Sequence, residues 1–155
     1  MTFDRNAFRD LDPGQETLMG PGPSDVHPRV LQALSAPCIG HLDPRFLSIM
    51  DETQQLLRFL FQTQNPLTMP VSGTGSAGME TCFVNLVEPG DEVVVCVNGV
   101  FGTRMADIVN RLQGRLIRVD AEWGRAVDPD AVRKAVQGRS PKVLAMVHAE
   151  TSTGA

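Results

Sequence analysis

A loop rich in glycine and hydroxyl side chains, residues 70–80, constrains the fold of this chain more than any other stretch. Residues 72–76 have the sequence SGTGS, and apolar residues recur at helical spacing from Met79 onward. This order predicts a strand, a tight turn and a helix. Because the first amides of a helix have no intrahelical partner and its dipole adds partial positive charge, such a turn binds phosphate well. The stretch therefore predicts a phosphate-binding loop.

Strand and helix patterns alternate after this loop. A continuous β-branched run at residues 92–97 predicts a strand covered on both faces, and residues 115–119 and 142–147 predict two more strands. Helices are predicted between them, one capped by Thr103 and one beginning after Asp128. Together with the strand expected before the glycine loop, this order predicts a mostly parallel α/β sheet with helices on both faces. Its ligands would lie at the carboxyl ends of the strands.

An irregular arm and two helices are predicted before the loop. Alternating Gly and Pro at residues 20–23 exclude regular structure there. A short helix is predicted at residues 28–34. Apolar residues then recur every three or four positions between Asp43 and Phe61, which predicts a capped helix of about five turns with one apolar stripe.

Composition excludes several classes of partner. The 155 residues carry a formal net charge of -4 and are 42% hydrophobic, which is typical of a globular domain and gives no attraction to nucleic acid or an anionic membrane. We find no apolar run that could span a bilayer and no secretory signal pattern, so a cytoplasmic protein is expected. Cys38, Cys82 and Cys96 lack C-x-x-C spacing and are predicted to be buried free thiols, with no disulfide or metal.

The glycine loop is compatible with two kinds of phosphate-binding site. Residues 73–78 match the G-x-G-x-x-G spacing of a dinucleotide fold. That fold needs an acidic residue roughly 20 positions on, at the end of the next strand, where this chain has Asn98. The hydroxyls of Thr74 and Ser76 favour a terminal phosphate instead. A Walker loop is excluded, since no Gly-Lys-Ser/Thr follows the glycines.

Residues at two other predicted strand ends are candidates for a site. His148 and Glu150 have the H-x-E spacing of zinc deaminases, but the P-C-x-x-C partner is absent and no metal is predicted. Phe101 follows the strand at residues 92–97. Its ring is either a partly buried loop aromatic or stacks on a planar cofactor, which contributes on the order of 1 kcal/mol.

Five short motifs occur in a fixed order from about Leu18 to the last residue. They are GPGP at 20–23, SGTGS at 72–76, EPGD at 88–91, NGVFG at 98–102 and ETSTG at 150–154. Together they resemble the class V pyridoxal-phosphate aminotransferases, within these the alanine–glyoxylate or serine–glyoxylate (serine–pyruvate) group. The resemblance implies a fold type I transferase, normally a homodimer. It would move an amino group from a small amino acid, alanine or serine, to glyoxylate or pyruvate.

The resemblance also implies roles for individual residues. Thr74, Gly75 and Ser76 would bind the phosphate of pyridoxal 5'-phosphate through hydroxyl and backbone donors. Phe101 stands where the family stacks an aromatic ring, commonly Trp, on the pyridine. Thr151 falls where a hydroxyl side chain lies near the ring substituents.

The resemblance also implies which residues border the substrate and where the cofactor-binding lysine should lie. Pro21 and Gly22 match a segment that borders the substrate, and His41 is a candidate specificity residue. The only lysines are Lys134, on a predicted helix, and Lys142, at the start of a predicted strand. In the family, the lysine that binds the cofactor and the acid opposite the pyridine nitrogen come later in the chain. No catalytic residue is therefore expected here.

The resemblance thus implies a fragment that should be inactive alone. Residues 1–26 would be an amino-terminal arm with its Gly/Pro loop, and residues 27–155 the first part of the large cofactor-binding domain. A ureidoglycine–glyoxylate transaminase is the nearest alternative, favoured by residues 122–124 and 39–44, although that group tends to carry Gln at the position of His41. A nicotinamide-binding module and a non-catalytic interaction partner also stay open. A peroxisomal address beyond residue 155 would change the expected compartment.

Overall fold

The computed structural model describes residues 12–155, and the chain divides into two compact units after Cys38. The described part of the first unit contains one helix, α1 (Pro28–Leu34), as predicted. The Nδ1 atom of His27 accepts a hydrogen bond from the amide of Arg29 at 3.2 Å and so caps this helix. The Gly-Pro loop before it has no regular structure, as expected. The first part of the predicted arm, residues 1–11, lies outside the described residues, and the predicted division at residue 26 stays a prediction.

The second unit, from residue 39 to residue 155, contains four helices and three strands in its described residues. They follow one another as α2 (Pro44–Leu60), α3 (Gly75–Leu86), β1 (Glu92–Val97), α4 (Val100–Arg111), β2 (Arg115–Asp120), α5 (Pro129–Val136) and β3 (Val143–Ala145). Helices α2 and α5 begin with the predicted Asp-Pro pair. Asp43 and Asp128 accept hydrogen bonds from the amides two residues on, at 2.8 and 2.9 Å.

The three strands form one parallel sheet with β1 in the middle. Glu92 of β1 lies opposite Arg115 of β2, and Val93 lies opposite Val143 of β3. The central position explains why every residue of β1 after Glu92 is apolar, since a central parallel strand is covered on both faces. The predicted mostly parallel α/β sheet of a fold type I transferase, incomplete in this chain, agrees with this arrangement.

Apolar side chains cover both faces of the sheet. Val93, Val95 and Val97 point to one face, where they pack against side chains of α3 and α4 and the residue after α3: Phe83, Val87, Met105, Ala106, Ile108 and Val109. Val94 and Cys96 point to the other face, which α5 covers. The prediction of helices on both faces is confirmed. By contrast, none of the side chains of α2 is buried, including those of its predicted apolar stripe.

The strand predicted before the glycine loop is absent. Residues 67–71 have no regular structure and pair with no strand among the described residues. Pro66 and Pro70 remove two amide donors from this short segment, which weakens any ladder it could form. A dinucleotide fold requires a strand at this place.

Two other predicted boundaries are wrong. Helix α4 begins at Val100, and Thr103 lies inside it with its hydroxyl donating to the carbonyl of Gly99 at 3.0 Å. The last strand ends at Ala145, two residues short of the predicted end. Both boundaries lie near a contact between distant residues, in which the side chain of Glu150 binds the amides of Phe101 and Gly102 at the start of α4.

The cysteines are free but not all buried. Burial raises the pKa of the Cys96 thiol, in the middle of the sheet. Cys38 and Cys82 are exposed, so the prediction of buried thiols is wrong for these two. On α3 the neighbouring Phe83 takes the buried position, and adjacent residues of a helix point in different directions.

Candidate functional site

The glycine loop ends at the amino terminus of α3, where Thr74 caps the helix. Its Oγ1 accepts a hydrogen bond from the amide of Ala77 at 3.4 Å, and its carbonyl accepts one from Gly78 at 3.1 Å. Within the described residues, the amides of Gly75 and Ser76 have no hydrogen-bond partner. Both amides can therefore donate to a ligand, at the end of the helix where the dipole is positive.

Open space lies beside this turn. A Cβ atom built at Gly75 would meet no atom within 4 Å. Next to it is a cavity of about 550 Å³, lined by Thr74, Gly75, Ser76, Met79, Phe101, Met105, Met146 and Val147. Small-molecule sites typically occupy about 300–1,000 Å³. Polar groups stand at one end and apolar side chains form the walls, so the cavity suits a flat apolar ring with an anionic substituent.

Helix α4 brings an aromatic ring and a positive charge to the same place. The guanidinium carbon of Arg104 lies 5.6 Å from the centre of the Phe101 ring, within cation–π range. The same guanidinium donates a short hydrogen bond to the hydroxyl of Ser76. Arg104 was not among the residues predicted for the site. The signal for it was its position three residues after Phe101, which puts both on one face of a helix.

Glu150 is fully buried, and its carboxylate caps α4 from outside the helix. Its Oε2 accepts hydrogen bonds from the amides of Phe101 at 3.1 Å and Gly102 at 3.2 Å. Its Oε1 accepts from the amide and the hydroxyl of Ser152, at 3.3 and 2.5 Å. The Ser152 hydroxyl in turn accepts from the amide of Val100 at 2.9 Å. The first three amides of α4 are thus satisfied by residues that follow β3.

These contacts determine the charge of Glu150. Burial raises the pKa of its carboxyl, but the Ser152 hydroxyl and the amides of Gly102, Ser152 and Phe101 together outweigh burial and hold the pKa below its ordinary value. The group is therefore ionised at neutral pH. Its negative charge lies at the positive end of the α4 dipole, which is favourable.

The lowered pKa predicts a pH dependence of stability. The stabilisation from the Glu150 carboxylate is fully present above the unfolded-state pKa of about 4.3, and it is lost as the pH falls through the lower folded-state value. Urea unfolding should therefore find the wild type more stable than Glu150→Gln at pH 7, with the difference shrinking below about pH 4. A difference that stays constant over this range would contradict the ionised carboxylate.

The structure does not bring all the predicted site residues together. Thr151 and His41 are exposed, and neither lines the cavity beside α3. Pro21 and Gly22 lie in the first unit. His148 lines a separate cavity of about 350 Å³ with Asn98 and the α5 residue Val132. The functional roles of these residues stay predictions.

Neither lysine of the described residues reaches the cavity beside α3. Lys142 lies just before β3, at the opposite end of that strand from the cavity, and its Nζ donates to Asp91 at 2.7 Å. Lys134 lies on α5, which covers the other face of the sheet. Over residues 12–155, no three His, Cys, Asp or Glu side chains are grouped to hold a metal ion. No helix in that same range has the length and apolar character needed to cross a membrane.

Comparison with known proteins finds relatives that match nearly the whole chain. The chain is 41% identical over 146 residues to the (S)-ureidoglycine–glyoxylate transaminase of Bacillus subtilis, which covers 94% of this chain and 35% of that relative. It is also 41% identical over 146 residues to the alanine–glyoxylate aminotransferase of Drosophila melanogaster, covering 94% of this chain and 37% of the relative. These relatives are glyoxylate aminotransferases, the kind of enzyme that the five motifs resemble. No family model matches it.

A solved aminotransferase structure agrees with this assignment. The alanine–glyoxylate aminotransferase of a Nostoc species superposes with a TM-score of 0.83 at 46% identity, covering 100% of this chain and 42% of that one. The resemblance read from the five motifs is thereby confirmed, and so is the fold type I architecture. The chain spans little more than a third of the length of the curated relatives it matches, 35% and 37%.

Proposed function

We propose that this chain is the amino-terminal part of an aminotransferase dependent on pyridoxal 5'-phosphate, and that it binds the phosphate and one face of the ring. The cavity beside α3 is the observation that carries the proposal. Two unpartnered amides lie at one end of this cavity, apolar side chains form its walls, and its volume is about 550 Å³. Aminotransferases of this fold use this cofactor.

The residues at the turn suit a phosphate group. The amides of Gly75 and Ser76 would donate to its oxygens, as would the hydroxyls of Thr74 and Ser76. Arg104 adds a permanent positive charge beside Ser76, and hydrogen bonds between charged groups are about twice as strong as neutral ones. The empty space next to Gly75 leaves room for the group to approach the backbone.

The walls of the cavity suit the ring. Phe101 would stack on the pyridine, a contact worth on the order of 1 kcal/mol. Met79, Met105 and Met146 would exclude water from it. When bound, pyridoxal phosphate supplies an electron sink for negative charge on the substrate carbon. The part of the chain described here would hold and orient it, and the lysine and the acid opposite the ring nitrogen would come from beyond residue 155.

The proposed substrates are a small amino acid, alanine or serine, and glyoxylate or pyruvate. The alternative is ureidoglycine with glyoxylate, because identity to both kinds of relative is 41%. His41 supports the first choice over the second, and Pro21, Gly22 and Thr151 are proposed to border the substrate or the ring. The resemblance further supports a homodimer. A cytoplasmic location stays a prediction.

Substrate profiling of the complete protein tests this proposal. Purified protein is incubated with pyridoxal phosphate, and transamination of alanine, serine and ureidoglycine by glyoxylate is measured. We expect bound cofactor that borohydride fixes covalently, and turnover of alanine or serine. Turnover of ureidoglycine alone would favour the alternative. Protein that binds reduced nicotinamide dinucleotide but no pyridoxal phosphate would overturn the proposal.

A further inference from the structure

Glu150 connects two parts of the candidate site that are far apart in the sequence. It accepts hydrogen bonds from the amides of Phe101 and Gly102, which lie 49 and 48 residues earlier. It is the largest fully buried side chain among the described residues. Burying an ionised carboxylate is costly unless its oxygens are well bonded. Such a group needs an explanation beyond ordinary helix capping, for which a local Ser, Thr, Asp or Asn suffices.

We propose that Glu150 is a positioning residue for the cofactor, acting through the Phe101 ring. Its carboxylate fixes the first turn of α4, and with it the direction in which Phe101 faces the cavity. This inference rests on the proposed function and deepens it. Glu150 itself does not line the cavity, so its effect on a bound ring is indirect, and Phe101 is the cavity-lining residue whose amide it binds.

The start of α4 depends on this carboxylate because the helix has no cap of its own. Gly99 holds the N-cap position and has no side chain to accept a hydrogen bond. The amide of Val100 is satisfied by Ser152, and those of Phe101 and Gly102 by Glu150. Without these bonds the first turn would lose all its outside partners, and the backbone that carries Phe101 could move.

The same contacts hold the segment after β3. Thr153 donates from its hydroxyl to the carbonyl of Asn98 at 3.1 Å. Thr151 therefore lies between two residues, Glu150 and Ser152, that are both bonded to α4. One carboxylate thus holds together the two segments that carry Phe101 and Thr151, which are proposed to contact the same cofactor.

The variant Glu150→Gln tests this inference in the complete protein. Glutamine keeps the shape of the side chain and one acceptor oxygen. Its NH2 group would replace the other oxygen, and because this group can only donate, the hydrogen bonds accepted by that oxygen would be lost. We expect the dissociation constant for pyridoxal phosphate, titrated into the apo protein, to rise about 10- to 100-fold, as for loss of hydrogen bonds to a charged group. Val109→Ala is the matched control. It lies buried on the same helix away from the cavity, and should lower stability without changing this constant.

A double-mutant cycle with Phe101→Leu separates positioning from a merely structural role. If Glu150 acts through the Phe101 ring, Glu150→Gln should weaken binding much less in the Phe101→Leu background than in the wild type. Additive effects would overturn the inference, as would an unchanged dissociation constant in Glu150→Gln. If Glu150→Gln does not fold, Ser152→Ala replaces it in the same double-mutant cycle. This variant removes one hydrogen-bond donor to Glu150 and keeps the carboxylate. If the wild type binds no pyridoxal phosphate, the proposed function itself fails.

Discussion

Replacing Gly99 by alanine should strongly destabilise the complete protein. A Cβ at this position would lie 2.4 Å from Cγ and 2.5 Å from Cδ of Glu150, and 2.7 Å from Oγ of Ser152. Neither side chain can move aside without breaking the hydrogen bonds that cap α4. We expect a loss of about 3 kcal/mol or more in the free energy of unfolding, or no soluble protein.

Gly78→Ala is the control for this substitution. Gly78 lies inside α3, and a Cβ there would meet no atom within 4 Å. Alanine is a better helix former than glycine, so this variant should be more stable by up to about 1 kcal/mol. Urea unfolding of both variants checks the pair. Equal stability of Gly99→Ala and Gly78→Ala would show that the contacts around Glu150 are not as tight as described.

Replacing Gly75 by aspartate should affect binding and stability in opposite directions. The new carboxylate would enter the open space beside the turn, where we propose that the phosphate binds. Repulsion between the two anions should weaken pyridoxal phosphate binding about 100-fold. The same negative charge in the first turn of α3 should stabilise the helix by about 0.3–1 kcal/mol. A binding defect could then not be attributed to misfolding.

Gly75→Asn is the matched control because asparagine has the same shape without the charge. It should retain most of the affinity for pyridoxal phosphate. Cofactor affinity by fluorescence titration and stability by thermal unfolding are measured for both variants. If Gly75→Asp and Gly75→Asn bind equally well, the phosphate does not lie at the amino terminus of α3.

Local signals in the sequence predicted much of the fold. The Asp-Pro pairs mark the starts of α2 and α5 because cap and first-turn proline act within a few residues. The β-branched run at residues 92–97 predicted a strand covered on both faces because such a strand is apolar throughout. Each of these signals can be read from residues within about one helical turn or one strand.

Features that depend on distant contacts could not be predicted in this way. No local pattern shows that Glu150 caps a helix that begins 50 residues earlier, at Val100. The predicted start of α4 and the predicted end of β3, which lie near this contact, were both wrong. The prediction of a strand before the glycine loop was wrong for a related reason, because a strand forms only where a neighbouring strand pairs with it. The motif order therefore identified the family, whereas Arg104 and Glu150 required the structure.

A crystal structure of the complete protein with pyridoxal 5'-phosphate tests the central claim most directly. The proposal predicts that phosphate oxygens lie about 2.7–3.2 Å from the amide nitrogens of Gly75 and Ser76, at hydrogen-bonding distance. It also predicts that the pyridine ring stacks on Phe101. A phosphate bound at another place, with both amides facing solvent, would contradict it.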